Sequence, residues 1–235
     1  MIIGIAGKAQ AGKDTACSII KAIDVWRKAS CGEINIVTSC KTLEEFCKEW
    51  ISDKEPDFSY LINCDWEKHS FAETLKGCAA LILGCNSDDF ESISFKNSRT
   101  ELPLLNTEGN PMTNREFLQL FGTQVGRAID KDLWVKALMN EYQFSRDTDG
   151  QYDVETKWII PDVRFPNEEE AIHKQGGVVW KIIRDSAGAG NHESEKHINE
   201  LKVELEIDNN GTIDEFITSV IRAYKYTIQE LHVDL

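Results

Sequence analysis

Met1-Ile2-Ile3-Gly4-Ile5-Ala6-Gly7-Lys8-Ala9-Gln10-Ala11-Gly12-Lys13-Asp14-Thr15 is the stretch that decides the fold. Its first six residues are an apolar run of the length of one buried strand. Gly7–Lys13 then carries the spacing G-x-x-x-x-G-K. A helical pattern begins near Lys13, with Ala16, Ile19, Ile20 and Ile23 on one face. Strand, glycine-rich loop and helix in this order are the context in which the motif means phosphate binding. Gly7 and Gly12 let the backbone turn back with its N–H groups pointing inward. Together with Lys8, Ala9, Gln10, Ala11 and the positive end of the helix they form an anion cradle. Lys13 adds a point charge for the β- and γ-phosphates of a nucleotide. One position departs from the usual pattern: Asp14 stands where Ser or Thr normally offers a hydroxyl to Mg2+, and Thr15 follows it.

Outward from this stretch, strand and helix patterns alternate, which implies an α/β fold with a parallel sheet and right-handed crossovers. Ile34–Thr38 reads as a strand, and Thr42–Glu45 as a capping box before Phe46, Cys47, Trp50 and Ile51 at helical spacing. Residues 52–65 read as loop, Ser70–Ala72 as a strand end, and 73–83 as a helix stopped at Gly84. Residues 85–112 are polar and irregular, a length of loop that usually serves function or motion. Thr113–Glu116 is another capping box, opening a helix through Phe121. Trp134, Val135, Leu138, Met139 and Tyr142 define a further amphipathic helix, and 145–156 a polar loop. Trp158-Ile159-Ile160 is a buried strand leading into Pro161-Asp162, and Asn167 with Glu170 reads as the cap of the next helix, which ends at Gly176-Gly177. Val178–Ile183 and Val203–Ile207 are strands. After the turn Asp208-Asn209-Asn210-Gly211, a last helix from Thr212 turns Phe216, Ile217, Val220, Ile221 and Tyr224 inward. The organisation is one domain over residues 1–235, with mobile lid or substrate-binding insertions within 85–156.

The chain has 235 residues, enough for a full α/β core with a lid. Its hydrophobic content of 41% and charged content of 28% are ordinary for a globular protein. A net charge of −14 argues against a nucleic-acid surface and against anionic membranes, but not against a nucleotide in a locally basic cleft. The seven cysteines form no C-x-x-C pair and are odd in number, so free thiols are expected rather than disulfides or zinc. The longest apolar stretch, near Cys78–Leu83, is too short to span a membrane. The expected setting is cytoplasmic.

Further constellations carry charge where phosphate chemistry needs it. Asp162-Val163-Arg164 follows a buried strand, and ligands of open α/β sheets bind at carboxyl ends of strands. Asp162 there can hold Mg2+, and Arg164 can face a transferring phosphoryl group; the alternative is a helix-start turn with a surface ion pair. Arg115 and Arg127 flank Gly122-Thr123. Arginine suits bidentate phosphate recognition, and a solvated face explains their spacing equally well. Lys76 and Lys96 carry a weaker signal of the same kind. His192-Glu193-Ser194-Glu195 fits an ordered loop better than a ligand contact. Glu168-Glu169-Glu170 fits an acidic helix start, and Trp134 and Trp158 fit the core.

Taken together these residues resemble the bacteriophage deoxynucleoside monophosphate kinases. The likeness runs through Gly7–Thr15 with its Gly12-Lys13-Asp14-Thr15 ending, Phe71-Ala72 with Leu75-Lys76, Leu118-Gln119 with Gly122-Thr123, and Trp134-Val135. It continues through Asp162–Glu168, His192–Glu195 and Asn209–Thr212, and is weakest over 24–65 and 85–112. The resemblance implies a P-loop kinase fold, three α/β/α layers with a helical lid, and ATP-dependent conversion of deoxynucleoside monophosphates to diphosphates. ATP and Mg2+ are the implied cofactors. Lys13, Asp14, Arg164 and Arg127 are the expected catalytic residues. Lys76, Arg115, Arg127, Asp162 and Arg164 are expected on the acceptor, and Asp14, Thr15 and Asp162 on the metal. The implied partners are small substrates, with no nucleic acid and no membrane; a homodimer is compatible with the sequence. The Gly-Lys-Asp ending also resembles animal-type phosphomevalonate kinases, so another phosphorylated metabolite stands as an alternative acceptor. A nucleotide-dependent switch protein is the other alternative, although no N-K-x-D guanine signature is present.

Overall fold

The computed structural model describes residues 1–36, 38–52, 64–149, 155–187 and 197–230. The elements run β1 (Ile2–Ala6), α1 (Lys13–Ser30), α2 (Leu43–Ser52), β2 (Trp66–Lys68), α3 (Phe71–Leu83), α4 (Ile93–Asn97), α5 (Asn114–Leu120), α6 (Arg127–Ile129), α7 (Leu133–Asp149), β3 (Lys157–Val163), α8 (Pro166–Lys174), β4 (Val178–Ile183), β5 (Leu205–Asp208) and α9 (Ile213–Glu230). Short 3-10 turns lie at Ser87–Glu91 and His197–Glu200, and a π turn at Phe121–Gly126. Two compact units result. One joins Met1–His69 to Arg146–Leu235; the other is Ser70–Ser145.

The first unit holds a five-stranded sheet in the order β2-β3-β1-β4-β5, and every neighbouring pair is parallel. Strand β1 is central because all five of its residues are apolar or glycine and buried on both faces. On one face Ile3, Ile5, Ile159, Trp180 and Ile182 meet Ile19 and Ile20 of α1, Phe46 and Trp50 of α2, and Phe216 and Val220 of α9. Each fully buried Ile or Phe of this kind contributes about 1.5–3 kcal/mol by leaving water. On the other face α8 packs so closely that a Cβ at Gly4 would lie 2.6 Å from Ile172 Cδ1 and 3.1 Å from Val163 Cγ2. The expected α/β architecture, a parallel sheet flanked by helices, is what the chain adopts.

Strand β3 runs further than its apolar core suggests. Pro161, Asp162 and Val163 belong to it rather than to a turn after it. Gly4 pairs with Ile160 but Ala6 with Val163, so β3 carries one extra residue opposite Ile5. Such a bulge is where a proline, lacking an N–H, is tolerated inside a sheet. The helix that follows starts differently from expectation. Asn167 lies inside α8; Pro166 opens it, and Glu168 Oε2 accepts from the N–H groups of Arg164 (2.7 Å) and Phe165 (3.0 Å).

Strand β2 is the element that the sequence hid. Ser70–Ala72 does not end a strand: Ser70 precedes α3, and the strand is Trp66–Lys68. It is anchored to α1 through Asp65, whose carboxylate meets Lys28 and, at 3.5 Å, Lys157. Burial pushes the Asp65 carboxyl up, but the hydrogen bond and charge of Lys28 and the charge of Lys157 outweigh it and hold the group below the usual carboxylate range. The Asp65 N–H donates to buried Asp24 at 2.8 Å. Ile34, Asn35, Ile36 and Thr38 form no strand; Ile34 and Ile36 pack on the core as coil. Helix α2 extends to Ser52, into the expected loop 52–65, of which 53–63 lie outside the described residues.

The second unit has its own small core of Ala79, Ala80, Leu83 and Phe90, with Phe95, Phe117, Leu118 and Phe121 packed against it. Residues 85–112 are therefore less irregular than their polarity suggests: Phe90 is fully buried, and a turn and α4 lie among them. Thr113 and Glu116 form the expected box, Thr113 N–H donating to Glu116 Oε2 at 2.7 Å and Glu116 N–H to Thr113 Oγ1 at 3.2 Å. Helix α7 continues to Asp149, into the expected polar loop. All seven cysteines are free thiols. Burial pushes the Cys17 thiol up to about 12, which marks it as a packing group on α1 rather than a nucleophile. No helix among the described residues is long and apolar enough to cross a membrane.

Candidate functional site

After β1 the chain crosses to β2 on one side of the sheet; after β3 it crosses over β1 to β4 on the other side. The connections diverge between two neighbouring strands, β3 and β1, and open α/β sheets bind ligands at the carboxyl ends of such strands. The loop after β1, Gly7–Gly12, and the end of β3 at Asp162–Val163, followed by Arg164, meet at those ends, because Ala6 pairs with Val163.

The loop takes conformations that its glycines permit. Gly7 has φ +150° and Gly12 φ +106°, and Gln10 is left-handed at φ +63°. Ala11 N–H donates to Lys8 O at 3.2 Å, closing the turn, and Ala16 N–H reaches Gly12 O at 2.9 Å, starting α1. Lys8, Ala9 and Gln10 are exposed, whereas Ala11 is buried. Lys13 folds back over the loop, its Nζ donating to Gly7 O at 2.9 Å and Lys8 O at 2.8 Å. An ammonium held this way closes over the start of the loop.

Two residues with no role expected from the sequence touch this loop or the first turn of α1 after it. Asn209, just past β5, donates from Nδ2 to Ala11 O at 2.7 Å. A Cβ at Gly12 would come within 2.5 Å of that Nδ2, so the close approach needs glycine as well as the positive φ. Asn209 itself is fixed by its N–H to Ile183 O at 2.8 Å. Lys68, the last residue of β2, places Nζ 2.7 Å from Asp14 Oδ1. The Asn-Asn-Gly turn is a sequence signal for the first contact; nothing in the local pattern signals the second.

The other expected residues fall as follows. Asp14 is exposed and Thr15 half-buried at the start of α1. Asp162 is half-buried within β3, and the Arg164 side chain is exposed beside it. Lys76, Arg115 and Arg127 belong to the second unit. There Lys76 pairs with Glu91 at 2.6 Å, and Arg115 Nε donates to Asn97 Oδ1 at 3.1 Å. Lys96 is in α4. His192–Glu195 lies outside the described residues. Trp158 is fully buried, as expected of a core residue, and Trp134 is half-buried, its Nε1 donating to Gly122 O at 2.9 Å.

Among the described residues no group of three or more His, Cys, Asp or Glu side chains could hold a metal ion. Magnesium does not need one. It keeps several waters and is held by one or two carboxylates together with substrate phosphates, and the Asp14 carboxylate and Thr15 hydroxyl beside the loop fit that partial donor set.

Compared with curated proteins, the chain matches none. Compared with protein families, residues 57–220 match the model described as deoxynucleotide monophosphate kinase. The matched span covers more than half of the chain and begins beyond the glycine loop, so loop and match are separate observations that point the same way. The chain belongs to the deoxynucleotide monophosphate kinase family.

Proposed function

We propose that the chain transfers the γ-phosphoryl group of ATP directly, in line, to the 5′-phosphate of a deoxynucleoside monophosphate. The observation that carries this reading is the Gly7–Lys13 loop at the carboxyl end of the central strand, bordered by Asp162–Arg164. The family match supports a nucleotide kinase. The loop, outside the matched span, supports a triphosphate donor.

In this reading the N–H groups of residues 7–12 and the Lys13 ammonium hold the donor phosphates. Asp14, Thr15 and Asp162 would hold Mg2+, which would supply positive charge against the donor phosphates. Arg164 offers a planar fork to the acceptor phosphate or to the charge developing in flight. Lys76, Arg115 and Arg127 belong to acceptor recognition, and the 85–156 stretch supplies the lid. The acceptor phosphate is ionised near neutral pH, so no strong general base is required. What remains is positioning and charge neutralisation.

The test is a coupled assay of ADP release with ATP, MgCl2 and each deoxynucleoside monophosphate in turn. At least one acceptor should accelerate ADP release well above the rate with water. A panel with no such acceleration overturns the reading. Release driven by phosphomevalonate would then identify a metabolite kinase, and slow acceptor-independent hydrolysis with nucleotide-dependent partner binding would identify a switch protein.

A further inference from the structure

A carboxylate at the mouth of an anion cradle has to be reconciled with the anion. Asp14 lies in the first turn of α1, next to Lys13. The helix end and the loop N–H groups favour negative charge there, whether it belongs to Asp14 or to a phosphate. Both at once repel, and more strongly as water is excluded. Lys13 is engaged with the Gly7 and Lys8 carbonyl oxygens. The charge on Asp14 is met instead by Lys68, at 2.7 Å.

Lys68 is delivered by a fixed element. It pairs with Ile159 in β3, and the next residue, His69, donates its N–H to Ile159 O at 3.0 Å. The His69 ring stacks on Trp158 with centroids 3.7 Å apart. The Asp65–Lys28 contact ties the start of the same strand to α1. The ion pair itself is exposed, 82% at Asp14 and 46% at Lys68. Exposed pairs hold weakly, so the partner is exchangeable even though the strand that carries it is not.

We propose that Lys68 is the counter-ion that makes the Asp14 carboxylate compatible with phosphate in the glycine loop, and that it yields the carboxylate when magnesium arrives. Lys68 acts through Asp14 and is a positioning residue. This inference rests on the nucleotide site proposed above. Without metal, loss of Lys68 leaves the carboxylate facing the phosphates uncompensated. With metal, the cation takes over the neutralisation and Lys68 becomes dispensable for binding.

The experiment is calorimetric titration of ATP into the wild-type chain, Lys68→Met, Asp14→Asn and the double variant, in EDTA and again in excess MgCl2. Lys68→Gln is run in parallel, and circular dichroism checks each variant. In EDTA, Lys68→Met should bind ATP about fivefold more weakly, the scale of one exposed charge pair. In MgCl2 the loss should shrink below about twofold by the same reasoning. In the Asp14→Asn background, removing Lys68 should change metal-free binding hardly at all. An equal loss in that background overturns the proposal, because Lys68 would then bind phosphate itself. Unchanged metal-free binding in both single Lys68 variants overturns it as well. Wild-type protein that binds no ATP overturns the nucleotide site, and this inference with it, and so separates that failure from the other two.

Discussion

Replacing Asn209 by alanine removes one donor from the glycine loop and nothing from the sheet. The side chain gives a single hydrogen bond, Nδ2 to Ala11 O at 2.7 Å, while its backbone N–H stays on Ile183 O. A neutral, partly buried bond of this kind contributes about 1 kcal/mol. For a chain of this size that lowers Tm by roughly 2–4 °C. The cost to ATP binding has a different origin. A loop no longer clamped must be ordered by the ligand, and if the same ~1 kcal/mol moves to the binding step, affinity falls about fivefold. Asn209→Asp is harsher, because it turns an acceptor toward an acceptor and adds negative charge beside the cradle. Its expected loss is roughly 2–3 kcal/mol, or thirtyfold and more in affinity. Thermal unfolding and ATP titration on the three proteins give the answer together. The affinities should rank wild type, alanine, aspartate. Wild-type affinity in both variants, with Tm lowered as expected, would refute the idea that Asn209 shapes the loop.

Lys13→Ala should stay folded and lose about a hundredfold or more in turnover, the cost of removing one preorganised charge contact, as read by ADP release at matched circular dichroism. Arg164→Lys should keep the charge and lose most of the activity, since a point ammonium does not reproduce a bidentate fork; an unchanged kcat and acceptor KM would remove Arg164 from the phosphate. Gly4→Ala sets a methyl group 2.6 Å from Ile172 Cδ1 and should destabilise by about 1–3 kcal/mol, with part of the lost Tm returned by adding Ile172→Val. Asp65, held below its ordinary range, stabilises the fold above the unfolded aspartate value of about 3.9 and stops doing so as pH falls through its lower folded value. Urea midpoints of the wild type should therefore exceed those of Asp65→Asn at pH 7, the difference shrinking as pH falls below about 4 and closing only beneath the folded value.

The parts of the fold written in local pattern were legible. Strand β1, the loop and α1 could be read from an apolar run, two glycines and a helical face. The Thr113–Glu116 box could be read from two residues three apart. Strand β2 could not, because only Trp66 of its three residues is buried and so short a run has no period. Ile34 and Ile36 alternate like a strand, yet they pack on the core without a strand partner. At α8, Asn167 and Glu170 had the spacing of a cap, but Pro166 and Glu168 started the helix two residues earlier. The site divides the same way. Its loop is contiguous and was visible, whereas Lys68 and Asn209 reach it from 54 and 198 residues away and owe their places to the sheet.

The sheet order also sets a timetable for synthesis. Strand β1 pairs with β3 and β4, which begin at Lys157 and Val178. During translation at about 5–20 residues per second, β1 leaves the ribosome on the order of ten seconds before its partners. Its apolar residues, all buried in the finished sheet, have no strand partner through that interval, only the helices α1 and α2 that follow them. The Ser70–Ser145 unit is contiguous, carries its own apolar cluster and emerges whole within the same wait. Nascent chains arrested before Lys157 should therefore bind chaperones through Ile2–Ala6, and release them once β4 is out.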